Sequence, residues 1–513
     1  MPETEIFTDI HCHTFLKYVQ NDVVDLWKPI GRPNFVAKAL GLVRFTAADL
    51  SKLAEADVQI ACIVLTPPEQ KLFFFQGSIP KKILNRFTTF ISTIPADKVK
   101  HYQSENYDHF DLLNQELRLC LGGQNISREL KLSSTGRKTV CRYQVVKNYA
   151  EVEAILAANK SNPKERIIAI ILTIEAFHAL GAGHIEFNGQ PNKFNVSPDL
   201  ILKRIDALKG IGSAEVPAWE YSPLWLTIAH AVNNDICGHA QPLTDLFRSF
   251  LDYSEPFTNG KKPPKYQSCI NTGLKPLGKQ VLERLLGIDA VSLARPNPGK
   301  RVLVDIKHMS TRSRQDYYDI LDAYHAPHPN DIIPVVMSHA AVNGKPRLDE
   351  RGFDPVDLDS EWKKSDSFNP WSINLYDDEI VRIHQTRGLI GLVFYQPILG
   401  GKKRRRGTFF WSEEDWAGLF ADQVEHIVKT VYNTGAADKQ EIWNRICIGS
   451  DFDGQINPAN KFATSDRLPV FKKHLKRFLN GDRFNAYRKP EEVDELADKI
   501  SYKNVVEFLK RNF

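Results

Sequence analysis

The sequence predicts an α/β protein, a (β/α)8 barrel of the TIM type, on three observations. Eight short apolar, β-branched runs recur along the chain, helix-like stretches separate several of them, and a histidine, glutamate or aspartate follows six of the eight at the same end. Continuous apolar runs of this length suit strands buried on both faces, as in a parallel sheet. Eight such strands alternating with helices imply a barrel.

The runs are, in order, Glu5–Ile10 (EIFTDI), Val58–Leu65 (VQIACIVL), Arg166–Ile174 (RIIAIILTI), Leu224–Ile228 (LWLTI), Arg301–Ile306 (RVLVDI), Ile332–Met337 (IIPVVM), Gly388–Phe394 (GLIGLVF) and Arg445–Gly449 (RICIG). Between them, Lys279–Leu286, Arg314–Ala323 and Asp377–His384 read as amphipathic helices. The tail, Glu491–Phe513, has helical periodicity and is expected to pack against the barrel wall. Three connections exceed a plain βα unit and are expected as insertions at the barrel mouth. They are 66–165, expected as a helical cap or lid, 241–300, which contains the loop-like TNGKKPPKY, and 340–387. The whole of 1–513 is expected to be one barrel domain, a length that large α/β barrels reach.

Composition narrows the class. Hydrophobic residues at 42% and charged residues at 25% argue for a globular chain and against disorder. A net charge of +5 is mild for 513 residues and calls for no nucleic-acid partner. The basic run Lys402–Arg406 (KKRRR) carries no interleaved aromatics and reads as a solvated loop. The N-terminus shows no basic-then-apolar leader, and no apolar stretch approaches the roughly 18 residues that span a bilayer, so no membrane partner is expected. The seven cysteines are scattered, with no C-x-x-C pair, which fits a cytoplasmic, reduced compartment.

The chemistry lies where the runs end. Strand one ends in Asp9-Ile10-His11-Cys12-His13, strand three in Thr173-Ile174-Glu175 and strand four in Ala229-His230. Strand five ends in Ile306-Lys307-His308, strand six in Ser338-His339 and strand eight in Gly449-Ser450-Asp451-Phe452-Asp453-Gly454. The C-terminal ends of barrel strands are where active sites are built. Residues two apart in a strand share a face, so His11 and His13 can reach one ion while Cys12 points away and is no ligand. Imidazole and carboxylate suit zinc, and also Mn, Fe, Co or Ni. Four histidines with two or more carboxylates exceed what one tetrahedral zinc needs, so two divalent ions bridged by a carboxylate are expected. An H-x-H pair alone, or a lone strand-end histidine such as His308, is ordinarily structural, and an isolated Glu175 could simply pair with a lysine. The conjunction at one end of six strands is what points to a metal centre. His178, His184 and His239 lie near this region without an assignment. His325 and His328 are expected at the surface, and the aromatic cluster Leu72–Phe75 in the core.

These residues carry a resemblance. Ile448–Gly454 (IGSDFDG) looks like the signature of the membrane (renal) dipeptidase family of the amidohydrolase superfamily. Asp305–Ser310 (DIKHMS) resembles that family's D-x-x-H-(V/M)-S element, Pro334–His339 (PVVMSH) its P-(V/I)-x-x-S-H element, and Leu226–His230 (LTIAH) its L-T-x-x-H element. Gly273–Gly278 (GLKPLG) resembles the lead into strand five. The resemblance implies a metal-dependent hydrolase that cleaves the amide bond of dipeptides or similar small substrates. It implies His11 and His13 on the first ion, Glu175 bridging, His308 and His339 on the second, His230 facing the scissile carbonyl or its oxyanion, and Asp451 handling the proton of the attacking water. The family's first element is H-x-D, whereas here it is His11-Cys12-His13, and the glycines that follow the family's bridging glutamate are replaced by Ala176-Phe177. For the arginine that grips the substrate's carboxylate, Arg347 and Arg351 are both candidates. Two zinc ions are the favoured cofactors, the partner is a dipeptide or other small molecule, and a homodimer is an admissible assembly. A hydrolase of another small amide or ester, such as an N-acyl amino acid or lactone, is the alternative, and a non-catalytic metal-binding barrel a more distant one.

Overall fold

The computed structural model describes residues 5–31, 44–73, 89, 94–133, 136–182, 186–187, 190–191, 196–231, 234–240, 272–289, 299–348, 362–405, 407, 410–454 and 456–513. Ten strands form the main sheet: β1 (Phe7–Cys12), β2 (Val58–Leu65), β3 (Arg128–Lys131), β4 (Lys138–Val145), β5 (Glu165–Glu175), β6 (Trp225–Thr227), β7 (Leu303–Asp305), β8 (Val336–Ala340), β9 (Leu389–Leu392) and β10 (Ile446–Ile448). Eight of them, β1-β2-β5-β6-β7-β8-β9-β10, pair in parallel in that order and make a nearly closed barrel. The seam between β10 and β1 is closed beyond the strand ends, where the His13 amide donates to the Phe452 carbonyl and the Asp451 amide to the His11 carbonyl, both at 2.8 Å. Each of the eight apolar runs overlaps one barrel strand. All of β2, and all of β5 after Glu165, are buried, as strands covered on both faces should be.

Two elements differ from expectation in an instructive way. The sixth run begins at Ile332, but β8 starts only at Val336. Ile332 is 40% exposed, and Pro334 has no amide to give to a ladder. The strand instead runs on to Ala340, so Ser338 and His339 lie inside it. The segment 66–165 is not simply a helical cap. It holds the helices Ala96–Tyr102, α1 (His109–Gly122) and α2 (Tyr149–Ser161), but also the antiparallel pair β3 and β4. β4 lies parallel to Glu165–Ile170, the first half of β5 and so the half away from Glu175.

The expected helices are present as α4 (Pro276–Leu286), α5 (Thr311–His325) and α6 (Asp377–Gln385), after α3 (Pro198–Leu208). Ser310 caps α5 by accepting from the Ser313 amide, and Ser412 with Asp415 forms a capping box on α7 (Glu413–Asn433). The tail ends in α8 (Asn504–Asn512) and packs under the barrel rather than along its wall. Asn504 donates to the carbonyls of Trp443 and Ile446 at 2.7 Å, Thr8 donates to the Ser501 carbonyl at 3.1 Å, and Phe508 meets Trp225 edge-on at 6.4 Å. Thr8, Trp225 and Ile446 all sit at strand starts, so the tail seals the floor and leaves the opposite end as the mouth. TNGKKPPKY lies outside the described residues. In the basic run, Arg404 pairs with Asp422 at 2.9 Å, and Arg404 and Arg405 lie over Trp411 and Trp362, aromatics supplied by other segments. No helix among the described residues is long and apolar enough to cross a membrane, and the six described cysteines are buried.

Candidate active site

Six strands bring their terminal side chains to one point at the barrel mouth. Glu175, the last residue of β5, stands at the centre, buried. Its Oε1 lies 3.7 Å from His11 Nε2, 3.2 Å from His308 Nε2 and 3.7 Å from His339 Nε2. Its Oε2 lies 3.3 Å from His13 Nε2 and 3.9 Å from His230 Nε2. Asp451 Oδ1 faces His13 Nε2 at 3.5 Å and His11 Nε2 at 3.8 Å. The side chains His11, His13 and Glu175 form one group that could hold a metal ion, and Glu175, His308 and His339 form another. Glu175 belongs to both, as a bridging carboxylate would.

The donor set fits divalent metal. His11 Nε2, His13 Nε2 and Glu175 Oε1 are buried with no hydrogen-bond partner among the described residues. Orphaned buried polar atoms are costly, and a cluster of them aimed at one another is resolved by a cation. Burial pushes the imidazoles of His11 and His339 well below their ordinary range and that of His308 down to about 3, so these rings are neutral, as ligands must be. Burial opposes charge on His13 too, but Asp451 and Glu175 outweigh it and hold that imidazole up at about 10. For Glu175, burial is outweighed by the facing imidazoles, His230 foremost, which keep the carboxylate well below its usual range.

A second layer aims these ligands. Ser338 Oγ lies 2.9 Å from both His11 Nδ1 and His339 Nδ1, and donates to Asp305 Oδ2 at 2.5 Å. A hydroxyl has one proton and two lone pairs. With the proton given to Asp305, both imidazoles must donate at Nδ1, which leaves both Nε2 lone pairs facing Glu175. The same device recurs at the barrel seam, where Ser450 Oγ donates to Asp9 and the Asp9 carboxylate also accepts from the His11 amide at 3.1 Å. Burial raises the Asp9 carboxyl to about 6.

The backbone is bent to serve the same point. Ala176, His308 and Asp451, all in or beside the site, have φ of 71°, 65° and 61°, in the left-handed region that L-residues seldom occupy. Ala176 stands where the resembled family keeps glycine. A Cβ on Gly454 would meet Asp451 Oδ1 at 2.1 Å, so glycine is required there for the carboxylate to reach the histidines. Asp453 turns away, accepting from Lys17 Nζ at 2.8 Å and from the amides of Ala47 and Ala48. Cys12 also turns away, with Sγ 3.7 Å from Thr14 Oγ1.

Two residues near this point were not anticipated. Glu69, four residues past the end of β2, lies 3.0 Å from His230 Nδ1 and 3.5 Å from His178 Nδ1. Lys307 is buried with no hydrogen bond at Nζ among the described residues, and burial lowers its ammonium to about 8 against the pull of Asp451, Asp305 and Glu175. Neither follows from periodicity; only the apolar context of Lys307, inside VDIKHM, signals burial. His178 and His239 are both buried. Arg347 is exposed beyond β8, while Arg351 and His184 lie outside the described residues.

No family model and no curated protein matches the sequence. Solved structures do. A metallopeptidase from Rhodobacter sphaeroides, liganded with a phosphinate mimic of the dipeptide L-Ala-D-Ala, matches over 100% of both chains at 14% identity and a TM-score of 0.50. The metallopeptidase dipeptidase AC matches over 99% of both chains, also at 14% identity and a TM-score of 0.50. The chain has the metallo-dipeptidase fold. At this identity the likeness is one of architecture.

Proposed function

We propose that the protein is a two-metal hydrolase that cleaves the amide bond of dipeptides or similarly small substrates. The observation that carries this reading is the carboxylate of Glu175 set between the pair His11 and His13 and the pair His308 and His339. His11, His13 and Glu175 would hold one ion, and Glu175, His308 and His339 the other, with zinc favoured by the imidazole-rich donor set. Divalent ions held there would lower the pKa of an attacking water from about 15.7 towards 7 and would polarise the scissile carbonyl.

The chain's own residues do the rest. Asp451, beside His11 and His13, takes the proton of the attacking water and passes it to the leaving amine. The water oxygen bonds to the carbonyl carbon, the C–N bond breaks, and the amine leaves carrying that proton. His230, with Nε2 directed at the Glu175 side of the site, donates to the developing oxyanion, a contact worth about 3–4 kcal/mol in comparable sites. Arg347 or Arg351, from the segment after β8, would meet a substrate's free carboxylate. A dipeptide is favoured because a metallopeptidase of the same fold binds a dipeptide mimic. The imidazole of His13, where the resembled family has a carboxylate, favours a second reading in which an N-acyl amino acid or lactone is the substrate.

The test is turnover. Protein loaded in turn with zinc, manganese and cobalt is assayed against dipeptides, N-acyl amino acids and lactones. Dipeptide hydrolysis that a chelator abolishes and metal restores is the expected result. Turnover confined to the other substrates favours the second reading, and no turnover with any metal overturns both.

A further inference from the structure

We infer that Asp453 is a positioning residue for Asp451, and that its buried bridge to Lys17 sets where the Asp451 carboxylate stands against His11 and His13. The inference rests on the hydrolase reading for what Asp451 does, while the geometry it claims is measurable without substrate. Along most of the barrel, ladder hydrogen bonds fix the spacing between neighbouring strand ends. Among the described residues β10 and β1 share no ladder, and one isolated bridge, Cys12 to Phe452, joins the two sides beyond β10. His11 and His13 stand on one side of this seam and Asp451 on the other, so side chains must supply what the ladder does not. Asp453 supplies it. Its Oδ1 accepts from Lys17 Nζ and from the Ala47 amide, both at 2.8 Å, and its Oδ2 from the amides of Ala47 at 2.9 Å and Ala48 at 2.8 Å. Lys17 lies in the short helix Leu16–Gln20 just after β1, and also donates to the Phe45 carbonyl at 2.5 Å. The segment 45–48 is anchored in turn, because Thr14 Oγ1 donates to the Ala48 carbonyl at 2.8 Å and the Ser465 amide to the Ala47 carbonyl at 2.9 Å.

The backbone between the two aspartates needs such an anchor. Asp451 and Asp453 have φ of 61° and 66°, left-handed on both sides of Phe452. Residues with a Cβ keep that conformation only where the surroundings over-determine it. The Asp451 end is held by its amide bond to the His11 carbonyl, and the Asp453 end by its carboxylate. Releasing the second end lets φ relax across Phe452, which turns the Asp451 side chain off its line to the two histidines. Lys17 and Asp453 are each only 1% exposed. A buried ion pair stabilises a fold little better than apolar packing of the same shape. What this pair adds is a fixed distance across the seam, from the helix after β1 to the turn that carries Asp451.

Two variants of the full-length, metal-loaded protein test this. Every partner of Asp453 is a donor, so in Asp453→Asn the new NH2 opposes an N–H whichever way the amide turns. Lys17→Met keeps the length of the side chain and removes the cation; it carries the same tests should Asp453→Asn fail to fold. With a dipeptide that is turned over, each is expected to lower kcat by roughly tenfold to a hundredfold, the cost of misplacing a reacting group by about 1 Å, while KM and metal content stay within about twofold. In an Asp451→Asn background neither is expected to lower kcat further. Lys472→Met is the control: it breaks a buried lysine's pair with Asp498 at the barrel floor, 2.8 Å long, and is expected to lower the urea midpoint and leave kcat unchanged. An equal loss with and without Asp451, or a loss of kcat from Lys472→Met as large as from Lys17→Met, would overturn the inference. Crystal structures of the zinc-loaded wild type and Lys17→Met separate this from failure of the hydrolase reading. The Asp451 carboxylate is expected to move by about 1 Å relative to His11 and His13. Superimposable Asp451 side chains overturn the inference even if dipeptides are hydrolysed. A shift in a protein that turns over no substrate leaves the positioning role standing and the hydrolase reading failed.

Discussion

Replacing Ser338 with alanine removes one oxygen that organises two proposed metal ligands. In the wild type that oxygen accepts from His11 Nδ1 and His339 Nδ1, both at 2.9 Å, and donates to Asp305. Without it, two buried imidazole N–H groups lose their acceptor, at about 1–3 kcal/mol each. Asp305 stays satisfied, because it keeps the Ser338 amide at 3.0 Å, the Lys307 amide at 3.1 Å and Thr227 Oγ1 at 2.8 Å. The rings are then free to rotate or change tautomer, and each Nε2 spends less time aimed at Glu175. Partners of this kind are worth roughly tenfold to a hundredfold in metal affinity, or about 1.4–2.7 kcal/mol. The assay is dialysis of zinc-loaded protein against a graded chelator series, with metal read by elemental analysis. Ser338→Ala is expected to release metal at a free-zinc level tenfold to a hundredfold higher than the wild type requires. Superimposable release curves would refute the idea that this hydroxyl sets the tautomers.

Three further outcomes are expected. Asp451→Asn should keep metal near wild-type content while turnover falls by two to four orders of magnitude, roughly what a general acid–base contributes; loss of metal by elemental analysis would make Asp451 a ligand instead. Ala176→Gly should raise the urea midpoint by the equivalent of about 1 kcal/mol, because Ala176 sits at φ 71° and ψ 124° where glycine is unstrained, and a lower midpoint would show that the alanine is at ease there. Burial raises the Glu116 carboxyl from 4.5 to about 7, against the Thr66 amide bond and His13. The unfolded chain therefore ionises first: this group costs no stability below about pH 4.5, a growing amount as pH rises to 7, and on the order of 3 kcal/mol above that. Glu116→Gln should accordingly stabilise the protein at pH 8 and much less at pH 5 in chemical denaturation, and an equal gain at both would exclude ionisation as the cause.

Much of the barrel was legible because its strands are buried on both faces and so read as unbroken apolar runs. β4 is not such a run. Thr139, Cys141, Tyr143 and Val145 face inward and the residues between them outward, an alternation that belongs to a half-covered strand. The start of β8 was misplaced because Pro334 and an exposed Ile332 continue the apolar composition without continuing the ladder. The tail's period marks it as helical, but periodicity says which face is apolar and not what it meets, so its place under the barrel is visible only in the fold.

The candidate site was legible where strand geometry decides direction. His11 and His13 share a face by parity, and the structure turns both to Glu175 and Cys12 away. Glu69 was invisible because it comes from a loop, and Ser338 because its value depends on Asp305 and His11 from other strands. Such contacts depend on how the barrel closes. Ala176 is an intermediate case: the missing glycine was evident in the sequence, but only the φ of 71° shows what its absence demands of the backbone.

Two divalent ions are proposed on either side of the Glu175 carboxylate. Crystals of the zinc-loaded protein, with diffraction recorded just above and just below the zinc absorption edge, test this directly. Two anomalous peaks are expected, one within bonding distance of His11, His13 and Glu175 and one within bonding distance of Glu175, His308 and His339. A single peak away from Glu175, or none in protein shown by elemental analysis to carry zinc, would contradict it.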